Sequence, residues 1–406
     1  MFPAERAMLA FALALAAGGC AGADRARFSA DRPVVGPEIV VSARPQHEEE
    51  DPVPSWDGSR YLVVWQTTRR GPSDVYGTWV DPAGRVEPRD GFPIAEAASD
   101  TLFPDAVFGG GVHLVVWQDL RSRRNWEIYA ARVTPDGAVR DPDGLAIGAG
   151  PGNRRYPRVA WSGRVFLAVW MQERPGSGWD VAAIRVGADG RTLDPAEVIV
   201  ASGPGDQARP AVAWTGRTFV VTWMTGPPES ADIAAARVGE DGTLLDPDPL
   251  VVSSAPGAQR YPAVAAADGT ALIVWIDGRA SDRFALYGAR LDADGRSPDP
   301  EGVPLSTAPR LHMFPAVACG SGTCLVVWEE EHPSAGPITR VTDVVRDVMA
   351  LRWSGGAPGV PRVLAPAARG NHFTRVAVGG DRALVAWKDY RSGLAGGFGR
   401  FVGPLE

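Results

Sequence analysis

Cysteine and histidine are scarce in this chain, at 3 and 5 among 406 residues, and neither recurs at metal-ligand spacing. No metal centre is therefore expected, and no other cofactor is called for, because no phosphate-cradling glycine loop is present. Excess positive charge is also missing. With 41 Lys and Arg against 48 Asp and Glu, the net charge is −7, which offers nucleic acid or anionic lipid no electrostatic footprint. No G-x-S-x-G elbow or H-E-x-x-H pair occurs, and near the channel mouth argued for below paired carboxylates are confined to Glu48–Asp51, so the common routes to nucleophilic and general acid–base catalysis lack support. The one long apolar run, MLAFALALAA, is too short to span a bilayer.

What the chain has is recurrence. Pro157 to Trp170, PRVAWSGRVFLAVW, returns around Trp65, Trp117, Trp170, Trp223, Trp275, Trp328 and Trp387, whose successive differences are 52, 53, 53, 52, 53 and 59. Thirteen positions earlier stand Pro52, Pro104, Pro157, Pro210, Pro262, Pro315 and Thr374. Within a copy, two short apolar runs are separated by a glycine turn (Gly163, Gly216, Gly380), which reads as a hairpin of strands buried on both faces. A third run (EIYAARV, DVAAIRV, DIAAARV, ALYGARL) leads to an Asp-Gly turn, an Asp-Pro pair and a fourth run such as VIVAS or LVVSS. Each unit is predicted to be four antiparallel strands.

One such sheet cannot cover both of its apolar faces, and radial stacking gives each sheet two neighbours. The last copy supplies a third strand, FGRFVGP, and then lacks a fourth. Glu38–Ser42, EIVVS, resembles the fourth runs and precedes the first copy, so the expected fold is all-β: a seven-bladed β-propeller over residues 37–406, closed by the N-terminal strand pairing into the last blade. The organisation resembles propellers of the kelch and WD-repeat kind, without the kelch double glycine or the WD dipeptide. The combination of FLVVW, a D-x-R turn and DIYAARV is similar to repeats of bacterial envelope proteins.

Residues 1–19 read as a signal peptide. Gly18-Gly19-Cys20 resembles a bacterial lipobox, with Ala17 where leucine is commoner, which implies lipidation of Cys20 and a flexible tether over 20–36. The expected location is the bacterial outer membrane, cell surface or periplasm, with the lipid as the only membrane contact. Cys319 and Cys324 occupy positions that hold Trp56 with Tyr61, Trp161 with Phe166, and Trp214 with Phe219 in other copies. Facing cross-strand positions make a disulfide the expectation in an exported protein. The sixth copy is also longer by an excursion within Glu329–Asp347, a candidate surface for partners. The D-x-R turns (Asp119 with Arg121, Asp277 with Arg279, Asp389 with Arg391) read as structural pairs.

The first strand of a propeller blade lies nearest the axis. Three places before each Pro or Thr374 stand Glu49, Thr101, Arg154, Gln207, Gln259, His312 and Asn371, with Arg260 and His372 beside them. These unlike polar groups are the candidate ligand-binding residues at a channel mouth. No catalytic residues are named, and an aromatic sugar platform would have to come from Trp126 or Trp179. The sequence thus points to an exported, lipid-anchored, monomeric module that binds or scaffolds an envelope protein, peptide or glycan. Two other readings stay open: a glycan-active hydrolase or lyase at the channel mouth, and a structural subunit using blade edges or the excursion. Sialidase-type Asp boxes are absent.

Overall fold

The computed structural model describes residues 34–44, 46–176, 178–280, 284–332, 344–354, 356–369, 372–391 and 393–405. Cys20, the signal segment and most of the tether lie outside them, as do Asn371 and the centre of the excursion, residues 333–343.

Every element among the described residues is a β-strand, and the strands group into seven antiparallel sheets. Blade 3 shows the plan. Arg154–Trp161 pairs with Phe166–Arg174, which pairs with Gly178–Val186, which pairs with Val198–Ala201. The second and third strands are apolar and buried over most of their length because sheets cover both their faces, and the short fourth strand meets solvent at its start. The Asp-Gly turns require left-handed backbone at Gly137, Gly190, Gly242 and Gly295, where φ lies between 81° and 93°.

The ring closes as expected. Val34–Ser42 pairs antiparallel with Gly396–Gly403, placing Glu38 opposite Arg400 and completing the sheet begun by His372–Gly379 and Arg382–Asp389. This strand begins three residues before the boundary expected at 37. Blade 6 departs from four strands. Its third strand, Val345–Ser354, is long enough to pair along one edge with two segments, Ala357–Pro358 and Arg362–Arg369, because the chain doubles back tightly after Ser354.

Each interface between neighbouring blades has its own apolar core. The anchoring tryptophan of one blade is fully buried against the blade before it: Trp170 packs on Leu114, Val116 and Ile128, and Trp223 packs on Leu167, Val169 and Val181. The closing interface joins Ile39, Val41 and Phe401 to Tyr61 and Val63. Truncating one such tryptophan to alanine costs about 3–5 kcal/mol.

Between blades, third-strand arginines act as latches. Arg185 pairs with Asp194 in its own blade at 2.6 Å and donates at 3.2 Å to the Glu240 carbonyl of the next blade, and Arg237 repeats this with Asp246 and the Ala293 carbonyl. Cys319 and Cys324 are directly opposed and form the expected disulfide at the position where Trp56–Tyr61 and Trp161–Phe166 meet as tilted pairs in other blades.

Candidate functional site

The innermost strands share an irregularity the sequence did not announce. Each breaks its pairing at the same place, between Glu50 and Val53 in blade 1, Arg155 and Arg158 in blade 3, Arg260 and Ala263 in blade 5, and at the equivalent step elsewhere. The bulged pair is the proline, or Thr374, and the residue before it. That preceding residue is left-handed in every blade: Asp51, Phe103, Tyr156, Arg209, Tyr261, Phe314 and Phe373 have φ between 46° and 57°. None is glycine, so each position costs about 1–2 kcal/mol relative to relaxed backbone. Proline suits the bulge because it has no N–H to leave unpaired.

These residues form a ring around the axis. Phe103 lies 4.8 Å from Tyr156, Tyr261 lies 5.1 Å from Phe314, and Phe314 lies 4.7 Å from Phe373, all as tilted aromatic pairs. The Arg209 guanidinium bridges the gap, 3.9 Å over Tyr156 and 5.6 Å over Tyr261. Lys388 continues the circuit, 4.7 Å over Phe373, 3.2 Å from Glu50 and 3.5 Å from Asp51. The ring encloses a recess of about 60 Å³ lined by blades 3 to 7, including Tyr156, Arg158, Arg209, Tyr261, Phe314, Phe373 and Arg375. Only a position on the axis touches that many innermost strands.

In blades 1, 2 and 6 the residue after the anchoring tryptophan supports this layer. Gln66 Oε1 accepts the Phe103 N–H at 2.8 Å, Gln118 Oε1 accepts the Tyr156 N–H at 3.1 Å, and Glu329 Oε1 accepts the Thr374 N–H at 3.3 Å. Blades 3 to 5 carry Met171, Met224 and Ile276 there, so the axis is polar on one side and apolar on the other. The position two after each bulged residue divides differently: it is charged in blades 2, 3 and 7, as Asp105, Arg158 and Arg375, and apolar in blades 1, 4, 5 and 6, as Val53, Ala211, Ala263 and Ala316.

Crowding perturbs the charges. Burial pushes the Asp51 carboxyl up against the pull of Lys388, and it pushes Asp105 up against Arg158. Burial also disfavours the Lys388 ammonium, yet the Asp51 and Glu50 carboxylates prevail and hold it above the ordinary lysine range. Arg375 is brought down to about 10 by burial and by repulsion from Arg158. Glu329, buried and opposed by Arg346, is pushed up to about 7.

The residues expected at the mouth sit elsewhere. Glu49, Thr101, Arg154, Gln207, Gln259 and His312 are buried, and their side chains pair within their own blades and connections or, for Thr101 and His312, with the blade before. Glu49 meets Arg69 at 2.9 Å, Arg154 meets Glu197 at 2.7 Å, and Gln207 accepts the Trp223 indole N–H at 2.9 Å. Gln259 donates to two backbone carbonyls, while His312 reaches Ser306 and the Phe284 carbonyl, each at 2.8 Å. Their backbone N–H groups stitch blades together, as in Thr101 to the Ser73 carbonyl and Arg154 to the Trp126 carbonyl, both at 2.8 Å. Arg260 donates to the Pro228 carbonyl at 2.9 Å and lies over Phe284. The His372 backbone pairs with Lys388, and its side chain lies outside the description.

The D-x-R pairs are structural as expected, with Asp119 holding both the Trp117 indole and Arg121. Part of the excursion is strand: Glu330 pairs with Asp347 and Glu331 with Arg346. Arg155 lies 5.6 Å over the Trp126 ring, and the aromatic side chains gathered at the axis are those of the bulged residues. A signal for the ring was present, since five of the seven copies place Phe or Tyr immediately before the Pro or Thr374.

No protein-family model matches the chain, and no curated protein does. Solved structures match it in fold. The phage phi92 endosialidase superimposes with a TM-score of 0.53 over 91% of this chain and 69% of its own, at 8% identity. The Pyrococcus horikoshii acylaminoacyl peptidase gives 0.48 over 84% and 49% at 11% identity, and a Bacillus subtilis arabinanase gives 0.38 over 65% and 99% at 14% identity. At such identities the likeness is one of fold alone.

Proposed function

We propose that the protein is an exported, lipid-anchored propeller of the bacterial envelope that recognises a glycan at its axial recess. The observation that carries this is the convergence of four aromatic side chains, Tyr156, Tyr261, Phe314 and Phe373, all on strained backbone, around one opening. Strain retained in every blade at one position accords with a functional demand there. Aromatic faces give a pyranose apolar contact without a deep pocket, and a recess of about 60 Å³ suits an end group better than a whole buried chain.

The test is retention on immobilised glycans by the wild type and by Tyr261→Ala and Phe314→Ala, with melting temperature as the folding control. Each variant is expected to weaken binding by about tenfold, near 1.4 kcal/mol. Retention unchanged in both folded variants would remove the axial site.

A glycan-active hydrolase is the second reading. It is favoured by Asp51 and Asp105 beside the recess, whose carboxyls burial pushes above the ordinary carboxylate range, the direction a general acid needs. Turnover of an oligosaccharide panel that disappears in Asp105→Asn supports it; binding without turnover leaves the module. Anchoring through Cys20 belongs to the same proposal, and fatty-acid labelling that persists in Cys20→Ala would refute it.

A further inference from the structure

We infer that the axial recess selects an anionic head group, a carboxylate or a phosphate, carried by the ligand. The inference rests on the recess being a ligand site, and it concerns which ligand. Three guanidiniums from three blades line the recess, Arg158, Arg209 and Arg375, and no carboxylate is among its lining residues.

The nearest carboxylates attract these arginines, Asp105 both Arg158 and Arg375, and Asp51 and Glu329 Arg375, but each also has another partner. Asp105 accepts the Val159 N–H at 3.0 Å, and Asp51 lies 3.5 Å from Lys388. Arg158 and Arg375 donate to backbone carbonyls, those of Pro157 at 3.0 Å and Thr374 at 3.3 Å, which neutralise no charge. The two guanidiniums repel one another, which is part of why the Arg375 pKa falls. Arg209 lies over two tyrosine faces, so it is held at the rim with its position fixed.

Planar, permanently charged forks of this kind match carboxylate and phosphate oxygens two at a time. The volume admits such a head group and a few waters, leaving the rest of the ligand against the aromatic rim.

The experiment compares three matched probes by saturation-transfer NMR: methyl glucuronoside, glucose 6-phosphate and methyl glucoside. The wild type is expected to bind at least one acidic probe about tenfold or more tighter than the neutral one. That preference is expected to weaken as NaCl rises from about 50 mM to about 500 mM. Arg209→Gln and Arg375→Gln are expected to erase the preference, and Arg209→Lys to keep most of it, which controls for folding. A preference for one acidic probe identifies the head group, and a preference for both assigns the site to anions generally. Equal binding of all three probes, unmoved by the arginine variants but lost in Phe314→Ala, overturns the anion inference and leaves the site. No binding of any probe, or binding unaffected by Phe314→Ala, overturns both.

Discussion

At Tyr261 the backbone sits at φ 53° so that the ring can reach Phe314 and Arg209. Glycine adopts this conformation freely, whereas alanine pays for it without supplying any aromatic contact. Tyr261→Gly is therefore expected to be more stable than Tyr261→Ala by about 1 kcal/mol in denaturant unfolding, the reverse of the usual order in a strand. Alanine equal to or better than glycine would show that the position is relaxed.

Two buried groups set opposing pH dependences. Burial holds the His113 imidazole down at about 4, with Ser55 Oγ 2.8 Å from its Nδ1, so its contribution is complete above about 6.5 and is lost as pH falls towards 4. Glu329, pushed up to about 7, contributes below its unfolded value of 4.5, and that stability is lost as pH rises through 7. Each shift corresponds to about 3 kcal/mol, and between pH 5 and about 6.5 the two slopes oppose. Relative to wild type, His113→Phe is expected to lose stability with rising pH across that window, and Glu329→Gln to gain it. Chemical denaturation at several pH values reads both slopes, and parallel profiles for the three proteins would contradict the assignment.

At the scale of the strand, the sequence was legible wherever a residue's role repeats and follows from its class. Apolar runs, Asp-Gly turns and the Cys319–Cys324 pair all obey periodicity and cross-strand pairing. The candidate site was not legible in the same way. A proline ordinarily pushes its predecessor towards extended backbone, so Phe103, Tyr156 and Tyr261 gave no sign of a left-handed conformation. The left-handed residues of the bulge gather at the axis, while Glu49, Arg154 and Gln259, two places before them, are buried in regular pairing with the second strands.

The hairpin of blade 6 offers its own test. In blades 1, 3 and 4 an aromatic pair fills the site of the disulfide, so Cys319→Trp with Cys324→Phe is expected to fold and to lose sensitivity to reductant. Wild type is expected to lose about 2 kcal/mol on reduction. A double variant that fails to fold would show that the thiols fill a space no aromatic pair can.

Over the whole molecule, seven interfaces must be satisfied at once, and one of them joins the two ends of the described chain. Ile39 and Val41 pack with Tyr61 and Phe401 across the closing interface, so the axial ring depends on the chain's first strand being in place. Lys388 in the last blade meets Glu50 and Asp51 in the first, which extends this dependence to the charges of the recess. The most direct measurement is oxidation of a Glu38→Cys, Arg400→Cys protein, positions opposed in the closing pair. An intramolecular disulfide that forms readily and raises the melting temperature is the predicted result. Failure to form it, or cross-linking only between molecules, would contradict the closed ring.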